Sequence, residues 1–142
     1  MSCRILFICT GNAVRSIMGE VIARDMGKGI WESYSAGAHP YGYVNPLTLK
    51  TLRSHAHTTD GLFSKALKLF LDKEFDYVVT VCSKAEKECP NWPGPAKMLH
   101  WDIKDPSVFE GTVEEKAAFF EEIYQELRVR ISELLGIVSQ SK

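Results

Sequence analysis

The chain has 142 residues, a formal net charge of −1 and 45% hydrophobic residues. That length suits one domain spanning 1–142 with a core of its own. The near-neutral charge excludes the electrostatic footprint of a nucleic-acid or anionic-membrane binder. No apolar run reaches membrane-spanning length, and the N-terminus lacks a signal-like core and cleavage site, so a cytoplasmic location is expected. Four cysteines in such a chain point to catalysis or metal binding rather than to a structural framework. There is no Cys-x2-Cys pair, and His39, His55, His57 and His100 do not fall at zinc-ligand spacings, so no metal is expected.

Cys3–Ile8 reads as a first strand, apolar enough to be covered on both faces, with Cys3 a small hydrophobe at its start. The stretch Cys9-Thr10-Gly11-Asn12-Ala13-Val14-Arg15-Ser16 follows. A helix then runs from Arg15 to about Met26 and stops at Gly27. Trp31–Ala36 reads as a second strand ended by Gly37. After a loop marked by His39-Pro40 and Gly42, Asn45 caps a short helix with Pro46 at its first position. His55–Gly61 reads as a connection with both histidines exposed, and Ser64 as the cap of a helix over Lys65–Leu71. Tyr77–Val81 is the clearest strand, β-branched and apolar, and it ends at Cys82. Ser83–Glu88 is polar and helix-prone, Cys89–Pro95 a loop stiffened by proline, and Met98–Trp101 a fourth strand. Thr112 and Glu115 form a capping box. The long helix beyond it carries Ala117, Phe120, Ile123, Tyr124, Leu127, Ile131, Leu134 and Leu135 on one face. Ser139–Lys142 reads as a frayed tail.

Strands alternating with helices imply a parallel sheet with right-handed crossovers, and ligands in such sheets bind beyond the carboxyl ends of the strands. Cys9, Cys82 and Asp102–Asp105 each follow such an end. Between the first strand and the first helix, loop amides and orphan helix donors can converge on an oxyanion. Gly11 and Asn12 tolerate the left-handed angles that let the chain curl. Arg15 can present a bidentate fork to the same anion. The positive field favours the thiolate form of Cys9, and Ser16 can donate to it. Thr10, Gly11, Asn12, Ala13, Val14, Arg15 and Ser16 are therefore the candidate oxyanion-binding residues, with Cys9 the candidate nucleophile. Cys82 and Cys89 stand seven positions apart, about 10 Å if the span is helical. A disulfide needs Cα atoms within about 7 Å, so joining them requires that span to loop out. Taken alone, both read as isolated thiols.

Cys9-Thr10-Gly11-Asn12 with Arg15-Ser16 resembles the signature loop of the low-molecular-weight tyrosine phosphatase fold, and within it that of the thioredoxin-coupled arsenate reductases. The resemblance extends through Ser35-Ala36-Gly37, Val79-Thr80-Val81-Cys82, Cys89-Pro90, His100-Trp101, Asp105-Pro106, Glu114-Glu115-Lys116 and Phe119-Phe120, and so over nearly the whole chain. It implies an α/β three-layer sandwich around a four-stranded parallel sheet of order 2-1-3-4, acting as a monomer. It also implies reduction of arsenate to arsenite, with phosphate or sulfate as alternative occupants of the loop. Cys9 is then the nucleophile, Cys82 and Cys89 the relays, and reduced thioredoxin the electron donor, with no tightly bound cofactor. Asp105 resembles the general acid of the fold, with Asp102 its competitor. A phosphatase using a Cys9 phosphocysteine is the alternative activity, and a non-catalytic oxyanion-binding or redox-sensing module a more distant one.

Three departures qualify the resemblance. Val14 stands where many relatives carry a second cysteine, which excludes a vicinal disulfide within the loop. Ser107-Val108-Phe109-Glu110 replaces a tyrosine-rich stretch and removes an aromatic wall, which favours a small inorganic anion. Some arsenate reductases of this type bind potassium at positions matching Asn12, Glu20 and Ser35. Lys65 stands at the family's remaining acidic ligand, and a lysine there repels a cation, which puts potassium in doubt.

Overall fold

The computed structural model describes residues 3–83 and 92–140; Cys89 and nearly all of the expected helical stretch before it lie outside the described residues. Strand β1 (Cys3–Cys9) is central and pairs in parallel with β2 (Trp31–Gly37) on one side and β3 (Tyr77–Thr80) on the other. Strand β4 (Lys97–His100) extends the sheet beyond β3, and the order is β2-β1-β3-β4. This is the expected parallel 2-1-3-4 sheet.

Alternation along β1 splits the core in two. Ile5, Phe7 and Cys9 join the side chains of helices α1 (Arg15–Met26), α2 (Pro46–Ser54) and α3 (Val113–Gln140). Leu6 and Ile8 face the other way, onto Ala36, Phe70, Phe75, Val78 and Trp92. On that second face, Tyr34 meets Phe70 and Phe75 edge-on, and Phe75 meets Trp92 in the same way. Such edge-to-face contacts match the positive rim of one ring to the negative face of the next. With both faces covered, β1 needs its near-continuous apolar run.

The local start signals perform as their chemistry requires. The Asn45 side chain accepts from the Leu47 N–H at 2.9 Å, with Pro46 at the first helical position. Glu115 N–H donates to Thr112 Oγ1 while Thr112 N–H donates to Glu115 Oε1, so the capping box is reciprocal. The long helix continues through Gln140, past the expected start of a frayed tail.

Two further expectations fail. Lys65–Leu71 is not an α-helix: Gly37 N–H donates to the Lys65 carbonyl, Ala66 is extended and bridges Gly37, and only Leu67–Phe70 closes into a 3-10 turn. Pairing with the end of β2 takes the backbone groups a helix would have used. Ser64 accordingly caps nothing there; its hydroxyl donates to the Gly11 carbonyl at 3.1 Å. The histidines after α2 are not free in solvent either. The His57 ring lies between Asp25 and Tyr124, with 2.6 Å to each. His55 stacks flat on Tyr124 at 4.0 Å and meets both carboxylate oxygens of Glu121. This clasp joins the end of α1, the turn after α2 and the middle of α3.

Candidate active site

Cys9 is the last residue of β1, 2% exposed, and the chain curls from it into the first turn of α1. Asn12 takes the left-handed conformation that the sharp curl demands, with φ of 47°. The outer side of the curl is held by the chain that follows β2. The carbonyls of Cys9, Thr10, Gly11 and Ala13 accept from the N–H groups of Ala38, His39, Tyr41 and Asn45 respectively. Thr48 Oγ1 also donates to the Ala13 carbonyl. With the carbonyls drawn outward, the amides of a curled loop are left to its concave side, where such groups form an anion-binding nest. The first turn of α1 has no side-chain cap, which leaves its N–H groups for the same purpose.

Gly37 explains the Ser-Ala-Gly motif on β2. A Cβ there would stand 2.7 Å from the Thr10 carbonyl oxygen and 2.9 Å from the Asn12 nitrogen, both backbone atoms. Only glycine lets the loop lie this close to the strand.

The buried polar groups form one chain of hydrogen bonds. Lys65 N–H donates to Asn12 Oδ1 at 2.7 Å, Asn12 Nδ2 donates to Ser16 Oγ at 2.8 Å, and Ser16 Oγ lies 2.8 Å from Cys9 Sγ. Asn12 and Ser16 are fully buried, so each bond is made away from competing water.

Arg15 is 3% exposed. Its Nη1 donates to the Ile103 carbonyl at 3.0 Å, and Nη2 lies 3.5 Å from Asp105 Oδ2. The other Asp105 oxygen accepts from the Ser107 N–H and hydroxyl at the head of a 3-10 turn, Pro106–Val108. Gly11, Ala13 and Val14 line the cleft with Cys9 and Arg15, while Tyr41, Asp105 and Ser107 stand at its rim. Asp102 lies apart, in the groove beside Phe109 and Phe119. Cys82 follows β3, is completely buried and packs in the same core cluster as Cys9.

Tyr41 is the rim residue that motif reading missed. Its ring covers Gly11, close enough that a Cβ there would come within 2.7 Å of it, and it stacks beside Tyr43. Partial burial, then the negative charge of Asp105 and Cys9, raise its phenol above the ordinary range. The hydroxyl is thus a protonated donor at the rim of the candidate site. Tyr41 brings an aromatic ring to a cleft whose other wall lacks tyrosines after Asp105-Pro106.

Residues 4–142 match the model of the low molecular weight phosphotyrosine protein phosphatase family. A relative from Bacillus subtilis (strain 168), named arsenate reductase, is 36% identical over 129 residues, covering 91% of this chain and 92% of its own. The structure superposes on a thioredoxin-dependent arsenate reductase of Corynebacterium glutamicum with a TM-score of 0.75 and 28% identity, over 99% of this chain and 63% of that longer one. It also shares the fold of the low molecular weight protein tyrosine phosphatase of T. tengcongensis, with a TM-score of 0.72 and 23% identity over 94% and 98% of the two chains. The chain belongs to the low molecular weight phosphotyrosine protein phosphatase family.

Proposed function

We propose that this protein reduces arsenate to arsenite by a thiol–disulfide cascade. The observation that carries the reading is the buried Cys9 Sγ, 2.8 Å from Ser16 Oγ in a loop whose carbonyls are turned outward, in a chain whose relatives are arsenate reductases. Loop amides and Arg15 hold the tetrahedral anion, and the Cys9 thiolate attacks arsenic(V). Asp105, at the rim, supplies the proton with which one oxygen leaves as water. Cys82 then attacks Cys9 Sγ. The new bond is Cys9–Cys82; the sulfur–arsenic bond breaks with its electron pair on arsenic, which leaves as arsenite.

Cys89 next attacks Cys82, freeing the Cys9 thiolate and moving the disulfide to Cys82–Cys89. Two electrons from a dithiol donor of the thioredoxin class restore the thiols. The Corynebacterium protein's thioredoxin dependence supports that choice of donor. No described helix is long and apolar enough to cross a membrane, which is compatible with a cytoplasmic site of action.

The family description and the Tyr41–Tyr43 pair favour one second reading, hydrolysis of a phosphomonoester through a phosphocysteine on Cys9. A coupled assay separates the two. Arsenate-dependent oxidation of reduced thioredoxin is expected, with slow or no phosphate release from an aryl phosphate. Serine variants then test the cascade by peptide mapping. Cys9→Ser should form no covalent intermediate, and Cys82→Ser should not pass oxidation onward. Cys89→Ser should stop after one turnover with a Cys9–Cys82 disulfide. Repeated turnover of Cys89→Ser with thioredoxin would rule out the three-thiol route.

A further inference from the structure

Lys65 is a buried cation that the thiol chemistry does not use. Its side chain is 6% exposed. The ammonium donates to Glu20 Oε1 at 3.3 Å and to the Phe63 carbonyl at 2.8 Å, and lies 4.8 Å from the centroid of the Phe63 ring. An ammonium taken this far from water is costly unless charge and hydrogen bonds compensate it, and here carboxylate, carbonyl and ring face all do.

The backbone of this residue reaches the signature loop, and its side chain reaches Glu20 on the helix that follows. Its N–H donates to Asn12 Oδ1, and its carbonyl accepts from Gly37, the glycine lying against Thr10 and Asn12. Glu20, held by the ammonium, also accepts the Ser35 hydroxyl. Ser35 pairs with Phe7 across β1 and β2, two residues before Cys9.

The donor set does not fit a bound potassium ion. Glu20 Oε1 already meets an ammonium and a hydroxyl, and Asn12 Oδ1 is taken by the Lys65 N–H. A free cation among these oxygens would sit beside a like charge in a poorly screened place.

We propose that the Lys65 ammonium is a tethered cation standing where a free monovalent ion would otherwise bind. Anchored on Glu20 and the Phe63 carbonyl, it fixes the backbone at residue 65, whose N–H holds Asn12 against Ser16, so Lys65 is a positioning residue. The inference rests on the loop being the anion-binding nucleophile site, whichever oxyanion turns over.

Protection of Cys9 from iodoacetamide by inorganic phosphate, read on the Cys9 peptide, measures the loop without arsenate turnover. The parent should give the same phosphate affinity and melting temperature in potassium and sodium chloride at equal ionic strength. Lys65→Met should weaken phosphate binding about tenfold in either salt, as expected for losing a charge-assisted bond that orders the loop. Lys65→Asp should be equally weak in tetramethylammonium chloride and recover severalfold in potassium chloride, a rescue that a merely structural lysine would not show. A potassium-specific gain in the parent overturns the proposal, as does Lys65→Met binding phosphate like the parent or Lys65→Asp failing to respond to potassium. Should Lys65→Met not fold, the parent's salt comparison and Lys65→Asp decide the matter. Absent arsenate turnover alongside the expected phosphate results would overturn the proposed reaction and leave Lys65 in its role.

Discussion

Asn12 donates to Ser16 and so leaves the Ser16 hydroxyl hydrogen available to Cys9. The Lys65 N–H can only donate, so the Asn12 oxygen must face it and the Asn12 amide nitrogen must face Ser16. Ser16 Oγ accepts that bond, and its own hydrogen is not spent on Asn12; Cys9 Sγ lies 2.8 Å away. A hydroxyl so placed can donate to the sulfur, and a thiolate is the form that such a bond stabilises.

Ser16→Ala should therefore slow the nucleophile without unfolding the loop. A hydrogen bond to a charged partner contributes about 1.5–3 kcal/mol, so alkylation of Cys9 by iodoacetamide at neutral pH should fall at least about tenfold. A variant that reacts as fast as the parent would show that the bond does not act on the sulfur.

Asp105→Asn separates proton transfer from anion binding. Turnover should drop by about 10²–10⁴, the scale of a lost general acid. Phosphate affinity should hold or rise, because the carboxylate lies 3.5 Å from Arg15 and competes with the anion for that guanidinium. Parallel loss of both would assign Asp105 to loop structure instead.

Ala56 occupies a strained position that can be relieved. It has φ of 65°, and the turn it makes after α2 sends the His57 N–H to the Leu52 carbonyl and its own N–H to the Arg53 carbonyl. This is the helix-ending motif that glycine usually serves. Ala56→Gly should raise stability by about 1 kcal/mol, the net of the relieved left-handed penalty over added unfolded-chain entropy. Urea unfolding measures it, and a destabilised variant would contradict the strain.

Asp25 ties part of the histidine clasp to acid stability. Its hydrogen bonds to Arg24 first, and then to His57, hold its carboxyl down at about 2, against an ordinary 3.8. A folded-state pKa below the unfolded one stabilises the native state above the unfolded value, and that contribution fades as pH falls through the folded value. The stability gap between the parent and Asp25→Asn should thus be present at pH 5 and shrink between about pH 4 and 2. Partial exposure keeps the gap modest. A gap that widened on acidification would reverse the assignment.

Much of this architecture is legible one residue at a time. The apolar run of β1, the β-branched Tyr77–Val81 stretch, the Asn45-Pro46 start and the Thr112–Glu115 box act through neighbours within a turn or a strand pair. Cys9, Arg15 and Ser16 are legible too, because a strand, a tight curl and a helix start are adjacent in the chain. Asp105 enters the same cleft from a different strand end, a convergence that strand order alone already implies for a parallel sheet.

Near neighbours along the chain therefore specify the strands of the sheet and the candidate nucleophile with its arginine, and the family resemblance adds the strand order. Tertiary structure alone decided how the loop is held. Residues 38–48 draw its carbonyls outward, Lys65 pairs with Glu20 across 45 positions, and Tyr41 covers Gly11. The same long-range pairing opened the expected helix at Lys65–Leu71 and bound His55 and His57 to α3. The physical reason is one of range. A cap or an alternation depends on groups a few residues away, whereas a buried ammonium, an extended bridge or a stacked imidazole depends on which distant partner the fold brings within bonding distance.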